Sequence, residues 1–432
     1  MYLTRVLFFL ITFLLLTIII DVYFYFGLKS YFKSFKNRKW LKRIYWFISF
    51  SVIAFYVLGI VLWFFKTPLT GKFRIIFQGI SFCFMVPKFI AIIFFMLDDI
   101  IRFFKWLKDK IFGNKINTNS ESDSSYSRLK FLQVTGLSFF GLFTGIFSYG
   151  IFKGAYNINV LYKKLRIPNL PKGFQGLKII QISDLHVGSF MSADPVKRMV
   201  ELINKENPDM VFFTGDLVND IAEEALPYVD ELKKLKAKFG VFSILGNHDY
   251  GDYYYDKNAP DFAQNKKHNK DLMQKIYQDC GWRLLLDENV IFESEGAKMA
   301  VIGIENWAGR GTFARYGDLH KAVKGTEDVN FKLLLSHDPS HWDVQVKPEF
   351  KDIDVMFSGH THGMQFGIEI PGFKWSPSKW VYPQWAGLYK DGKQQLYVNR
   401  GIGFVGYPGR VGIYPEISVF ELKPTKVYNP NF

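Results

Sequence analysis

Thiols are almost absent from this chain, which has 2 cysteines in 432 residues. Cys83 lies in a long apolar run and Cys280 in a mixed polar region, so a disulfide framework is excluded. Acidic residues are scarce in the first third only. Residues 1–152 hold 19 Lys+Arg against 6 Asp+Glu, whereas the remainder holds 35 against 34. The basic pI of 9.3 therefore describes the first third. A nucleic-acid-binding protein would carry its basic patch on the globular part. That patch is missing, so no nucleic-acid partner is expected. Histidine is scarce as well, at 8 residues, and its placement becomes informative.

Long apolar runs are what the first third has instead. They run over 5–20 (continuing past Asp21), 44–65, 73–97 and 131–152. Each is about the ~20 residues that a bilayer-spanning helix needs. A cleaved signal peptide would end in a small-x-small site, and the first run has none. Four membrane helices are expected, the third interrupted by Pro87-Lys88. Asp21 and Lys88 fall at membrane depth and are functional candidates on that ground, with snorkelling or a salt bridge inside the bundle as the expectation. Segment 98–112 places Ile100, Phe103, Phe104, Leu107 and Ile111 at helical spacing among lysines and Arg102. It reads as an amphipathic helix or as an extension of the third span. Residues 113–128 read as a disordered linker. Lysine and arginine number 7 in the loop 28–43 and 7 in the loop 98–130, against 8 in the segments on the other side. Basic loops stay cytoplasmic. The expectation is a multi-pass protein of the cytoplasmic membrane, with 1–152 as the transmembrane region and 153–432 as a globular domain outside the cytoplasm.

From Lys178 onward, short apolar runs alternate with amphipathic stretches. The runs are KIIQIS, MVFFTG, VFSILG, MAVIGIE, KLLLS and DVMFSG. This pattern predicts an α/β fold with buried strands, and helices over 195–207 and 223–239. Ligands in such folds gather beyond the carboxyl ends of strands. Five polar stretches fall there: SDLHVG, TGDLVND, GNHDY, SHDP and GHTHG, which together hold five of the eight histidines. In an extended segment, His360 and His362 would point the same way, as would Asp184 and His186. A capping role explains one such aspartate, Asp338 before Pro339 for instance. It does not explain five stretches in series. Seven oxygen and imidazole ligands without a thiol suit two divalent first-row metal ions sharing a carboxylate.

In this order, DLH, GD, GNHD, SHD and GHTH over 178–421 resemble the calcineurin-like metallophosphoesterase superfamily, in its membrane-anchored bacterial branch. The tail YVNRGIGFVGYPGRVG resembles that branch too. Met364 departs from the pattern, because many relatives carry glycine there, and an altered pocket shape is expected. The resemblance implies a β-sandwich flanked by helices and two divalent cations, manganese first, iron or zinc otherwise. It implies that Asp184, His186 and His362 hold one ion, that Asn247, His337 and His360 hold the other, and that Asp216 bridges both. His248 would face the substrate phosphate, with Asp249 orienting it. The implied reaction is hydrolysis of a phosphoester by in-line attack of a hydroxide between the ions. A lipid-linked or envelope phosphoester is the expected substrate. The alternatives are a cytoplasm-facing hydrolase resembling the UDP-2,3-diacylglucosamine pyrophosphohydrolases, and a non-catalytic scaffold that keeps the fold.

Residues outside the motifs are read more plainly. His268, His320 and His341 are expected at the surface, and Arg400 either on a phosphate or in a structural salt bridge. The aromatic stretches 250–256 and 373–389 leave the rim of the site. They read either as elements that dip toward lipid or as flaps packed on the domain.

Overall fold

Four helices long and apolar enough to cross a membrane make up the first of two compact units, Met1–Ile151 and Phe152–Phe432, in this computed structural model. The structure describes residues 2–32, 38–64, 70–112, 122–311 and 313–425. The helices are Tyr2–Phe32, Arg38–Phe64, a third running from Thr70 to Phe112, and Ser122–Phe152. Pro87 does not break the third. It follows a π-helical turn, Ser81–Met85, in which the Val86 N–H reaches back to the Ser81 carbonyl. The widened turn takes up the missing proline N–H. The amphipathic segment 98–112 continues this helix without a break. Residues 113–121 of the expected linker lie outside the described residues. Residues 122–128 already belong to the fourth helix, which corrects the linker reading: polar composition does not stop a helix that leads into a long apolar run.

Asp21 and Lys88 form a salt bridge inside the helix bundle, each 1% exposed. Ser49 Oγ donates to the same carboxylate, and Tyr45 Oη donates to the Asp21 carbonyl at 2.6 Å. The Lys88 ammonium also lies 3.7 Å from the centre of the Phe84 ring. Asp21→Ala strands that ammonium, at a cost on the order of 3–5 kcal/mol. The melting temperature in detergent should fall, and a second change, Lys88→Met, should restore most of the loss. A single variant that melts like the parent would rule out the structural role.

The second unit has two six-stranded sheets. In the first the order is Asn159–Ile167, Glu416–Pro424, Lys178–Ile182, Met210–Phe213, Val241–Ser243, Arg283–Leu284. In the second it is Gly387–Asp391, Gln394–Val398, Val355–Ser358, Phe331–Leu335, Ala297–Gly303, Glu288–Ser294. Ile179, Phe212 and Phe242 meet Val301, Leu333 and Phe357 between the sheets. Their chain neighbours Ile180, Val211 and Val241 pack outward on Met199 and Ile203 of helix Asp194–Lys205 and on Met273 and Ile276 of helix Phe262–Asp279. Burial on both faces is why these strands read as unbroken apolar runs. The helix expected over 223–239 shrinks to a 3₁₀ segment, Ala222–Tyr228, and one α-turn, Val229–Leu232. Pro227 inside it has no N–H to continue a regular helix. Four consecutive strands of each sheet are mutually parallel, Lys178–Ile182 through Arg283–Leu284 in the first and Gln394–Val398 through Ala297–Gly303 in the second. Their carboxyl ends therefore share one edge per sheet, and the motif residues follow those ends.

Candidate metal centre

Strand ends become a site here because the chain turns left-handed immediately after them. Asp184, His186, Asp216, His360 and His362 have φ of 51°, 43°, 58°, 72° and 49°. Non-glycine residues seldom occupy that region, and they do so at functional sites when the surroundings hold them there. Gly246 makes room for one of them, since a Cβ there would lie 2.2 Å from Asp216 Oδ1.

The side chains form two joined clusters. In the first, His362 Nε2 lies 3.2 Å from Asp184 Oδ1, with His186 beside them. In the second, His337 Nε2 lies 3.1 Å from Asp216 Oδ2 and 3.2 Å from His360 Nδ1, and Asn247 Oδ1 lies 2.8 Å from the same Nδ1. His186 Nε2 is 3.6 Å from Asp216 Oδ2, so this one oxygen faces both clusters. Ligand atoms within each trio, Asp184–His186–His362 and Asp216–His337–His360, lie within 4.8 Å of one another. All seven residues expected to hold metal are thus in one place.

The buried ring nitrogens fit a cation. Nδ1 and Nε2 of His186 and Nε2 of His362 have no hydrogen-bond partner, an arrangement that is costly without a ligand. His337 donates Nδ1–H to the Thr214 carbonyl at 2.7 Å, which turns Nε2 toward the cluster. Asn247 donates its amide N–H to Tyr253 Oη at 2.8 Å, which turns Oδ1 inward. Burial pulls the carboxyl pKa of Asp184 and Asp216 upward. The imidazoles of His362 and His337 respectively outweigh it and hold both carboxylates below their ordinary range. Burial pulls His186 and His360 downward. It pulls His337 the same way, but Asp216 overrides it and lifts that imidazole to about 10.

Three expectations need correction. His360 and His362 do not share one face of an extended segment. The strand ends at Ser358, and the left-handed turns send His360 to the second cluster and His362 to the first. Asp249 does not touch the His248 ring. Its two oxygens accept the N–H groups of Asp216, Leu217, Val218 and Gly246. Burial and the charge of Asp216 push its pKa up to about 7 in spite of those bonds. His248 is instead oriented by the Asn219 carbonyl, 2.6 Å from Nδ1. His341 is buried rather than at the surface. Ser336 Oγ and Gln345 Oε1 satisfy its nitrogens at 2.9 and 2.8 Å.

His341 gives a pH test. Burial pushes its pKa from 6.5 to about 4. Between those values the unfolded chain binds the proton and the folded chain does not, so stability is complete above pH 6.5 and falls as pH drops toward 4. The loss is at most ~3 kcal/mol at ~1.4 kcal/mol per unit. Melting temperature should decline from pH 6.5 to 5, with a shallower slope in His341→Asn. Equal slopes would remove His341 as the source.

His268 and His320 are 65% and 67% exposed, as read from sequence. Arg400 is buried in ion pairs with Glu416 and Glu369, which gives it the structural role. Sequence reasoning missed Thr214, Asn219 and Tyr382. The first two act through backbone carbonyls, which carry no residue signature. Tyr382 Oη lies 2.8 Å from His360 Nε2, beside Asp338, whose Oδ1 caps the N–H of Ser340. Its signal was the aromatic stretch that leaves the site rim.

Residues 4–155 match the family model described as probable calcineurin-like phosphoesterase, transmembrane domain, and residues 177–364 match that of calcineurin-like phosphoesterase. The chain belongs to the calcineurin-like metallophosphoesterases, in a membrane-associated form. The metallophosphoesterase YkuE of Bacillus subtilis is 30% identical over 263 residues, 59% of this chain and 82% of YkuE. A metallophosphoesterase of Helicobacter pylori is 27% identical over 410 residues, 92% of this chain and 97% of the relative, so that likeness extends into the N-terminal helices. Among solved structures, the sulfate thiohydrolase SoxB of Thermus thermophilus aligns at 13% identity and a TM-score of 0.33, covering 59% of this chain and 58% of SoxB.

Proposed function

We propose that this chain hydrolyses a lipid-linked or envelope phosphoester at the outer face of the cytoplasmic membrane, using two divalent cations. The observation that carries the chemistry is Asp216 Oδ2, shared between two clusters of buried imidazoles, in which both ring nitrogens of His186 and Nε2 of His362 have no hydrogen-bond partner. Asp184, His186 and His362 would hold one ion, Asn247, His337 and His360 the other, and Asp216 both. Manganese is the first choice, iron or zinc the next. Bound there, the cations supply Lewis-acid activation of water and neutralise charge on the phosphoryl oxygens. His248 does the proton work. Its Nδ1 is turned to the Asn219 carbonyl, its backbone N–H donates to Asp216 Oδ1 at 2.9 Å, and its ring packs on Tyr253 at 4.5 Å between centroids. Held this way, Nε2 serves the leaving oxygen as a proton donor. The lysine and arginine counts support the outer face, and the four spans support a substrate that resides in the membrane.

The reading is tested with the detergent-solubilised chain on bis-p-nitrophenyl phosphate, with Mn²⁺ and with chelator. Metal-dependent turnover is expected. His248→Ala should lower it by ~10²–10⁴-fold, with the bound metal unchanged. No turnover together with no bound metal would overturn the reading.

A further inference from the structure

Immediately after His362 the chain forms a two-stranded ribbon, Ile368–Ile370 paired antiparallel with Phe373–Trp375. Ile368 faces Trp375, Glu369 faces Lys374, and Ile370 faces Phe373. Directly opposed residues share a face, as do residues two apart. One face of the ribbon is therefore Ile368, Ile370, Phe373 and Trp375, and the other is Glu369 and Lys374.

The charged face is the one bonded to the protein, although Glu369 and Lys374 both remain exposed. Glu369 ion-pairs with the buried Arg400, and Lys374 Nζ donates to the Ala386 carbonyl. The apolar face is the one left open, with Ile368, Ile370 and Phe373 50%, 58% and 54% exposed. Trp380, 72% exposed, extends it through its contact with Trp375. Exposed apolar patches of this kind mark interaction surfaces.

We infer that this face seats in the bilayer that the first unit spans. Two observations select a lipid surface as the occupant. The same chain carries four helices long and apolar enough to cross a membrane, and only six residues separate the end of the fourth helix, Phe152, from the first strand at Asn159. The ribbon unit is thus tethered at a bilayer. The face is also composed as interfacial elements are, with exposed Trp380 beside exposed Lys379. The segment that follows the ribbon is bonded to the loop that carries His360 and His362. Ser376 Oγ donates to the Gly363 carbonyl, Thr361 Oγ1 donates to the Trp385 carbonyl, and Tyr382 Oη meets His360. Seating the ribbon therefore brings the site to the lipid headgroups, which deepens the reading of a membrane-resident substrate. The inference rests on the membrane spans and would survive a failure of the hydrolytic reading.

The test is photocrosslinking of the full chain in nanodiscs of phosphatidylcholine and phosphatidylglycerol that carry a labelled lipid. Benzoylphenylalanine replaces Phe373, Trp380 or, as control, Phe239, which is 42% exposed and precedes strand Val241–Ser243, away from the carboxyl ends. Lipid adducts are expected at 373 and 380 and not at 239. Adding Ile370→Glu should cut the adduct at 373 by about fivefold or more, because a charge there opposes insertion. An adduct to a second copy of the chain would make the face a protein interface and overturn the proposal. Adducts within the chain, or none, would overturn it as well.

Discussion

Asp216→Asn is expected to abolish metal-dependent phosphoester hydrolysis, by ~10³-fold or more, while leaving the metal-free fold intact. The physical case lies in one oxygen. Asp216 Oδ2 is 3.1 Å from His337 Nε2 and 3.6 Å from His186 Nε2, and Oδ1 accepts the His248 N–H. An amide in this place can accept the His248 N–H only by turning its NH₂ toward the imidazoles, where a second donor is of no use. Otherwise it keeps an oxygen toward the clusters but loses the charge that offsets two cations. Losing ~4 kcal/mol of stabilisation at the reacting centre corresponds to the stated factor, at ~1.4 kcal/mol per decade. The checks are turnover of bis-p-nitrophenyl phosphate and bound manganese per chain. Bound metal should fall below two per chain. A variant that holds two ions at the parent's affinity and turns over within about threefold of it would refute the bridging role.

Asp249→Ala should produce the largest loss of stability in the catalytic unit. The side chain is fully buried and collects four backbone N–H groups from two loops. Alanine leaves all four without a partner. At ~1–3 kcal/mol for each buried unsatisfied group, even partial rescue by water leaves a cost on the order of 4 kcal/mol. For a unit of this size that is ~8–16 °C in melting temperature. Thermal unfolding of the solubilised chain measures it. The result also separates two roles for this residue. Had Asp249 acted through His248, the variant would melt normally and the pH dependence of turnover would move instead. A melting temperature within about 2 °C of the parent would support action through His248.

The class of the chain and the set of residues that gather at the strand ends were legible without coordinates. Asp184, His186, Asp216, Asn247, His337, His360 and His362 each follow a short apolar run, and strands buried on both faces can be read from such runs. The four membrane helices were legible for a similar reason, since about twenty apolar residues have few other uses. The sequence by itself therefore determined which residue types gather and at which strand ends. Only the tertiary structure decided how they divide. His360 and His362 part company because left-handed turns, not an extended segment, carry them. Asp249 serves the loops and Asn219 serves His248 because backbone N–H and carbonyl groups, which are the same in every residue, make the bonds. His341 is buried because the fold brings Trp307 against its ring, although its partners Ser336 and Gln345 lie within five residues of it. The polarity of the ribbon is of the same kind. Alternation along Ile368–Ile370 and Phe373–Trp375 defines two faces, but which one the protein bonds to depends on Arg400 and Ala386, brought there by the fold.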